Sequence, residues 1–309
     1  MRARHKSPAR HPERNRLPLA GRAAIDRFHA SADGGPEDTA ATDDGSPTRF
    51  TNVDQTSDAR YFIEFLDARK GIKGEREVKE LIIEMLALKA GFSALDIGCG
   101  TGDDAREIAA IVGPGGRVVG IDLSEALVAE SEKRAGGSGL AVEFRTGDVR
   151  KLDFPDESFD CVRTDRILMF VPEIEKAVSE IARVLRPGGR VVASELDHEM
   201  HFQDSHFPEI TRKVFSAFGA RMPQRCLGRQ LHRIFAEQGL RNVKSEPRVI
   251  RPPYQTFRRV LDGFLASAVA RGELTEAEVA SWIDDIAALD RASLFNNGVV
   301  VFTASGEKP

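Results

Sequence analysis

Ala94-Leu-Asp-Ile-Gly-Cys-Gly-Thr-Gly-Asp103 is the stretch that decides the fold. A short apolar run carrying one acid, Asp96, gives way to glycines at 98, 100 and 102. Such a run reads as a buried parallel strand that delivers the chain to a helix N-terminus. Glycine serves the turn twice: it takes positive φ without steric cost, and its missing Cβ lets a ligand approach the backbone. Asp103 and Asp104 then open a helix, their carboxylates suited to the free N–H groups and positive dipole end of its first turn. The turn is therefore a nucleotide-sized site. The dinucleotide fingerprint wants glycine where Asp103 stands, and a phosphate-cradling loop needs a Gly-Lys-Ser/Thr that is missing. Asp96, two residues before the first glycine, repels phosphate but can orient a ligand ammonium, directly or through water. The site reads as one for a nucleoside carrying a cation.

The chain of 309 residues has room for one large domain or two small ones. A net charge of -4 argues against a general nucleic-acid binder. No apolar run approaches the ~18 residues of a membrane span. Cys99, Cys161 and Cys226 form no C-x-x-C pair, so neither a disulfide framework nor a metal site is expected, and a reduced, cytoplasmic setting is. Residues 1–50 begin basic and proline-interrupted and turn acidic. They lack the periodic apolar residues that bury a core, so a disordered extension is expected.

Further along, Tyr61, Phe62, Phe65 and Leu66 fall at helical spacing behind a polar run in which Ser57 is the expected N-cap. A second helix is expected over Glu77–Leu88, closed by Ala90-Gly91. Residues 51–90 then form a helical lid, its first helix over the cleft, because an open α/β sheet binds ligand at the C-terminal edge of its strands and something must cover it; two helices packing on the sheet are the companion reading. Arg117–Asp122 is a second strand ending in an acid. Asp122 stands where α/β nucleoside sites place a carboxylate for the ribose hydroxyls. Leu123 adjoins it, and Ser124 caps the next helix. A third strand, Ala141–Arg145, leads to Gly147-Asp148-Val149. An acid there accepts from an exocyclic amine while the following N–H meets a ring nitrogen, an edge reading of adenine; a plain turn aspartate is the alternative. Strands at Cys161–Thr164, Arg190–Glu195, Val243–Val249 and Val299–Thr303 bring the number to seven. Their alternation with helices predicts right-handed βαβ units and a Rossmann-like, mostly parallel α/β sheet covered on both faces.

Asp96-Ile-Gly-Cys-Gly-Thr-Gly102 resembles the first motif of class I S-adenosylmethionine-dependent methyltransferases. Gly147-Asp148, Phe154-Pro155, Ser158-Phe159-Asp160 and Val184-Leu-Arg-Pro-Gly-Gly-Arg190 are similar to the later motifs of its small-molecule branch, the type 11 or ubiquinone/menaquinone methyltransferase-like proteins. The resemblance covers about Thr51 to Ala304. It implies a methyltransferase domain over 51–305, an antiparallel last strand and S-adenosyl-L-methionine as cofactor. It implies further that Asp96, Gly98, Gly100 and Gly102 hold the methionine part, Asp122 with Leu123 beside it the ribose, and Asp148 with Val149 the adenine. Asp165, ending the fourth strand, would face the donor's amino group or methyl.

Methyl transfer from a sulfonium is an in-line displacement, so the protein must align the acceptor, exclude water and deal with the acceptor's proton. Residues 198–228 and 252–297 read as helical insertions that leave strand ends and roof the acceptor. Their Phe, Leu and Met residues suggest an apolar small molecule. Thr275-Glu-Ala-Glu278 is a capping box for the helix behind it. His198 and His201, near Glu195, Asp197 and Glu199, are candidate general bases, since a histidine beside carboxylates titrates near neutrality; solvated loop residues are the alternative. Arg166 is a candidate for steadying an anionic acceptor, with a salt bridge to Asp165 or Glu195 as the alternative. No Asn/Asp-Pro-Pro-Tyr follows the fourth strand and no cysteine is placed as a nucleophile, so nucleic acid is not expected as partner, nor, without a long apolar run, is a membrane. A nicotinamide-dependent oxidoreductase and a donor-binding module without turnover stay open beside the leading reading, and no oligomeric state is indicated.

Overall fold

The computed structural model describes residues 50–56 and 59–309. The extension expected over residues 1–50, apart from Phe50, and the Ser57 cap lie outside the described residues. A 3-10 turn (Phe50–Gln55) precedes α1 (Ala59–Arg69) and α2 (Lys73–Leu86). Helix α2 starts a turn earlier than its apolar periodicity suggested, and its first turn buries the charged Glu75 instead of leaving it in water. It ends on Ala87 in the left-handed conformation, not at Ala90-Gly91.

Strands and helices then alternate: β1 (Ser93–Ile97), α3 (Asp103–Val112), β2 (Arg117–Asp122), α4 (Glu125–Ala135), β3 (Val142–Thr146) and β4 (Phe159–Asp165). A 3-10 turn (Leu168–Phe170), α5 (Ile174–Val184) and β5 (Leu185–Gln203) follow. The last third holds α6 (Pro208–Gly219), α7 (Leu227–Glu237), β6 (Arg241–Ile250), α8 (Tyr254–Ala270), α9 (Glu276–Arg291) and β7 (Asn297–Glu307). The seven strands form one sheet in the order β3-β2-β1-β4-β5-β7-β6, with β1 to β5 parallel and β7 antiparallel to both neighbours. From β1 the chain winds outward to β3, then returns to place β4 on the other side of β1. That reversal opens a crevice at the strands' C-terminal ends.

Period-2 alternation sorts the strand residues onto two cores. Leu95, Val119, Val162 and Val191 face α5 and α7, where Val178, Ile181, Leu231 and Phe235 meet them. Ala94, Val118, Cys161 and Val192 face α2 and α3, where Val78, Ile82, Ile108 and Val112 wait. A third core joins the inserted helices α6, α8 and α9 through Val214, Phe218, Leu265 and Trp282. The indole N–H of Trp282 donates to Thr211 Oγ1 at 2.8 Å, so its burial leaves no donor unpaired. The Thr275–Glu278 capping box forms as expected.

One expectation is corrected. Residues 198–203, read as the start of a helical insertion, continue β5. Antiparallel pairing with β7 satisfies their backbone: Asp197 pairs with Val300, His201 with Val299 and Gln203 with Asn297, across a bulge between Asp197 and His201. Helix α7, which begins where that expected insertion ends, packs on the sheet itself.

Candidate functional site

A cavity of about 580 Å³ lies at the C-terminal edge of the sheet, within the roughly 300–1,000 Å³ common for small-molecule sites. Gly98, Gly100, Asp122, Asp148 and Asp165 line it from the strand ends. Phe65, Leu66 and Arg69 of α1 close one side; Phe215 and Phe218 of α6 and Phe257, Val260 and Leu261 of α8 close another. The expected lid and roof therefore both border the cavity.

Gly98, Gly100 and Gly102 have φ of 70°, 54° and 73°. A Cβ on Gly98 would fall 2.1 Å from Ile167 Cδ1, and one on Gly102 2.7 Å from the Phe144 ring. Gly102 does not line the cavity: it begins α3 in the left-handed conformation and makes room for Phe144. The loop is tied to the next strand. The N–H groups of Gly98 and Cys99 donate to the Ile121 carbonyl at 2.7 and 2.9 Å, and that of Gly100 to Asp122 Oδ2 at 2.9 Å. Asp122 Oδ1 accepts from the Ser124 N–H at 3.0 Å. Burial pushes the Asp122 carboxyl above its usual range, and these backbone donors oppose the shift. Ser124 caps α4 as expected, through Leu127 N–H. Leu123 borders the cavity with 53% of its surface exposed.

Asp96 is placed differently from expectation. It does not line the cavity, and its fully buried side chain faces Arg163, its register partner on β4. Arg163 Nη1 donates to Asp96 Oδ1 at 2.6 Å, while Nη2 donates to Asp104 and, at 3.2 Å, to Asp165. Burial raises the Asp96 carboxyl and the Arg163 charge opposes it. Strand alternation directs this acid to the α2 and α3 face of the sheet, where Arg163 takes one of its oxygens; the other, Oδ2, is buried without a partner.

Asp165, which Arg163 also touches, does line the cavity. Its Oδ2 accepts from Arg166 Nη2 at 2.6 Å, while its buried Oδ1 has no partner. Desolvation pushes this carboxyl up to about 6. Arg166 makes the salt bridge weighed above, with Asp165 and with Glu75 at 2.5 Å rather than with Glu195. Arg69 grips both oxygens of Glu75 at 3.0 and 2.9 Å. Glu195, fully buried, accepts from the N–H groups of Ile167, Leu168 and Met169 and is pushed up to about 8 by burial. It caps the 3-10 turn after β4 and so fixes the cavity wall at Ile167 and Met169.

Asp148 and Val149 line the cavity. The Asp148 carboxylate is held by the Arg150 guanidinium at 2.7–3.1 Å and by Arg150 N–H at 2.8 Å, which keeps it below the ordinary carboxylate range. An incoming amine must share it with that arginine.

His198 and His201 sit on β5, not in a solvated loop, and both line the cavity. His198 is 2% exposed, its Nδ1 lies 3.3 Å from His201 Nε2, and its own Nε2 is buried without a partner. His201 stacks on Phe215 with centroids 4.9 Å apart. The expectation of near-neutral titration is corrected: burial pushes His198 down to about 4 and His201 to about 3. The acids nearby do not reverse this, because Asp197 is bound by Arg229 and Glu199 faces Arg225 and Arg229. Both imidazoles are neutral at pH 7.

Comparison with known proteins places this geometry. A family model described as a methyltransferase domain matches residues 88–239. An uncharacterised 37.1 kDa protein from transposon Tn4556 of Streptomyces fradiae is 34% identical over 235 residues, 73% of this chain and 66% of that one. A ubiquinone/menaquinone biosynthesis C-methyltransferase of Ectopseudomonas oleovorans is 40% identical over 114 residues, 36% of this chain and 67% of that one. The chain spans about half the length of most such curated relatives it matches. Among solved structures, the cyclase SpnF is 25% identical with a TM-score of 0.50, covering 76% of this chain and 81% of that one.

Proposed function

The chain belongs to the class I S-adenosylmethionine-dependent methyltransferases, and from that premise we propose that it transfers the donor's methyl group to an oxygen, nitrogen or carbon of a small, largely apolar acceptor. The observation that carries the proposal is continuity. The glycine loop, Asp122 and Asp165 border the same cavity as His198 and the aromatic faces of α6 and α8.

The residues present suit the donor. Asp165 Oδ1, buried and unpartnered at the cavity, offers an acceptor for an ammonium. Gly98 and Gly100 leave the backbone bare, Asp122 offers carboxylate lone pairs to a diol, and Leu123 offers an apolar face beside Asp148 and Val149. When bound, S-adenosylmethionine supplies an electrophilic methyl on a sulfonium. The chain's own part is to hold the two reactants in line, keep water out with α1, α6 and α8, and take the acceptor's proton at His198 Nε2. Within a domain over 51–305, α1 acts as the lid, while α2 behind it packs on the sheet. Arg166, held by Asp165 and Glu75, shapes the floor. The start of α3 disfavours a nicotinamide dinucleotide: Asp103 and Asp104 put two carboxylates where a pyrophosphate would sit. Among the described residues no helix is long and apolar enough to cross a membrane; an acceptor met in the cytoplasm completes the proposal.

Incubation with methyl-labelled S-adenosylmethionine and a panel of apolar phenols, enols and amines tests it. Label should pass to at least one acceptor. Donor binding with no transfer to any would move the reading to a binding module without turnover. The likeness to SpnF favours a second reading, cyclisation of an apolar ligand in the same cavity; substrate would then disappear with no donor consumed.

A further inference from the structure

Arg221 has no part in the donor site. It follows α6 and lines the cavity beside Phe218, Met222 and Pro223. Its side chain is 10% exposed, and its guanidinium lies 4.4 Å from the centroid of Phe264. Nη2 donates to Glu273 at 2.7 Å, but Nη1 is buried and has no partner. Glu273 is shared, since Arg271 Nε also donates to it at 3.1 Å. A guanidinium cannot shed its charge, so an idle buried N–H there is a standing cost unless a ligand meets it. The segment is also held in place: Gln224 N–H donates to the Met169 carbonyl, and its side chain to the carbonyls of Val171 and Pro172. That ties the chain just after Arg221 to the end of the 3-10 turn after β4.

Two more nitrogens on this apolar side are buried and unpartnered, His198 Nε2 and Asn297 Nδ2, and both residues line the cavity. The wall around all three is aromatic and aliphatic. Resting on the reading of this cavity as the acceptor site, we propose that Arg221 is the anchor of an acceptor subsite for an anionic oxygen, and that the acceptor is an apolar molecule carrying a carboxylate. The apolar body lies against α6 and α8, and the carboxylate takes Arg221 Nη1–H. Arg221 sets which molecules enter; it has no role in the displacement itself.

The test uses decanoate and decan-1-ol as probes, alike in chain length and differing in the anionic head, titrated calorimetrically into the full chain. S-adenosylhomocysteine is titrated in parallel. Decanoate should bind roughly tenfold or more tightly than decanol, the scale of one charge-assisted hydrogen bond. Arg221→Met should erase that preference while leaving decanol affinity unchanged, and Arg221→Lys should restore part of it. Glu273→Gln, which removes the competing carboxylate, should strengthen decanoate alone. Equal affinity for the two probes, a preference that survives Arg221→Met, or binding of neither probe would overturn the subsite. If S-adenosylhomocysteine binds while the preference is missing, the subsite fails and the methyltransferase reading stands; the reverse pattern sinks the donor assignment and keeps the subsite.

Discussion

Replacing Asp165 by Asn should make the protein more stable and its donor site worse. In the free protein the Asp165 side chain is 6% exposed, and its carboxyl is raised from 3.8 to about 6. Because the folded pKa lies above the unfolded one, the folded state binds this proton more tightly. Stability from this group is thus present at low pH and falls as pH rises from about 3.8 to about 6. A shift of about two units corresponds to roughly 3 kcal/mol at pH 7, an order-of-magnitude figure that already includes the attraction of Arg163 and Arg69. Asn keeps the shape and an oxygen for Arg166 but carries no charge. Asp165→Asn should therefore raise stability by about 2–3 kcal/mol near pH 7, or roughly 5–10 °C in Tm for a domain of this size. The gain should shrink to about half at pH 5, where the native carboxyl is largely protonated. The unpartnered Oδ1 is the proposed acceptor for the donor's ammonium, so affinity for S-adenosylhomocysteine should drop about tenfold to a hundredfold. Denaturant melts at pH 5 and pH 7 with parallel calorimetry read both effects. A variant that is less stable at pH 7 yet binds normally would refute the reasoning, placing Asp165 in the supporting network and not at the ligand.

Asp122→Ala should weaken S-adenosylhomocysteine binding by a few kcal/mol, because it deletes a carboxylate acceptor and the anchor of Gly100 N–H; unchanged calorimetric affinity would remove the ribose assignment. His198→Ala should lower kcat by about a hundredfold or more while sparing donor affinity. With His198 at about 4, the native pH–rate profile should be flat from pH 6 to 8, and an inflection near 6.5 that vanishes in the variant would show the imidazole is not desolvated as described. Gly102→Ala should cost about 2–4 kcal/mol through left-handed strain plus collision with Phe144, whereas Gly137→Ala, equally left-handed but with open space around its Cβ position, should cost about 1 kcal/mol; equal losses in denaturant melts would mean the Phe144 contact relaxes freely.

The part of the site that follows from local sequence was legible in it. The glycine loop, Asp122 at a strand end and the Ser124 cap depend on residues a few positions apart, and period-2 and period-3.6 patterns place them. What depended on distant partners was not. Asp96 stands in the right motif, but Arg163, 67 positions on, claims its carboxylate. His198 and His201 look like polar loop residues because the strand pairing that buries them comes from β7, about a hundred residues later. Glu75, ahead of the helix expected from Glu77, carries no signal in the sequence, and only Arg69 and Arg166 closing over it reveal that it supports the floor. Arg221 carries no motif; its signal is an unpaired nitrogen in an apolar wall, which exists only in three dimensions.

The central claim, that the cavity beside the glycine loop is built for a sulfonium nucleoside, is tested most directly by calorimetric titration of the full chain with S-adenosylhomocysteine, with NADH as the control. The account predicts micromolar binding of the first and none of the second. Binding of NADH with no response to S-adenosylhomocysteine would contradict it from the glycine loop onward.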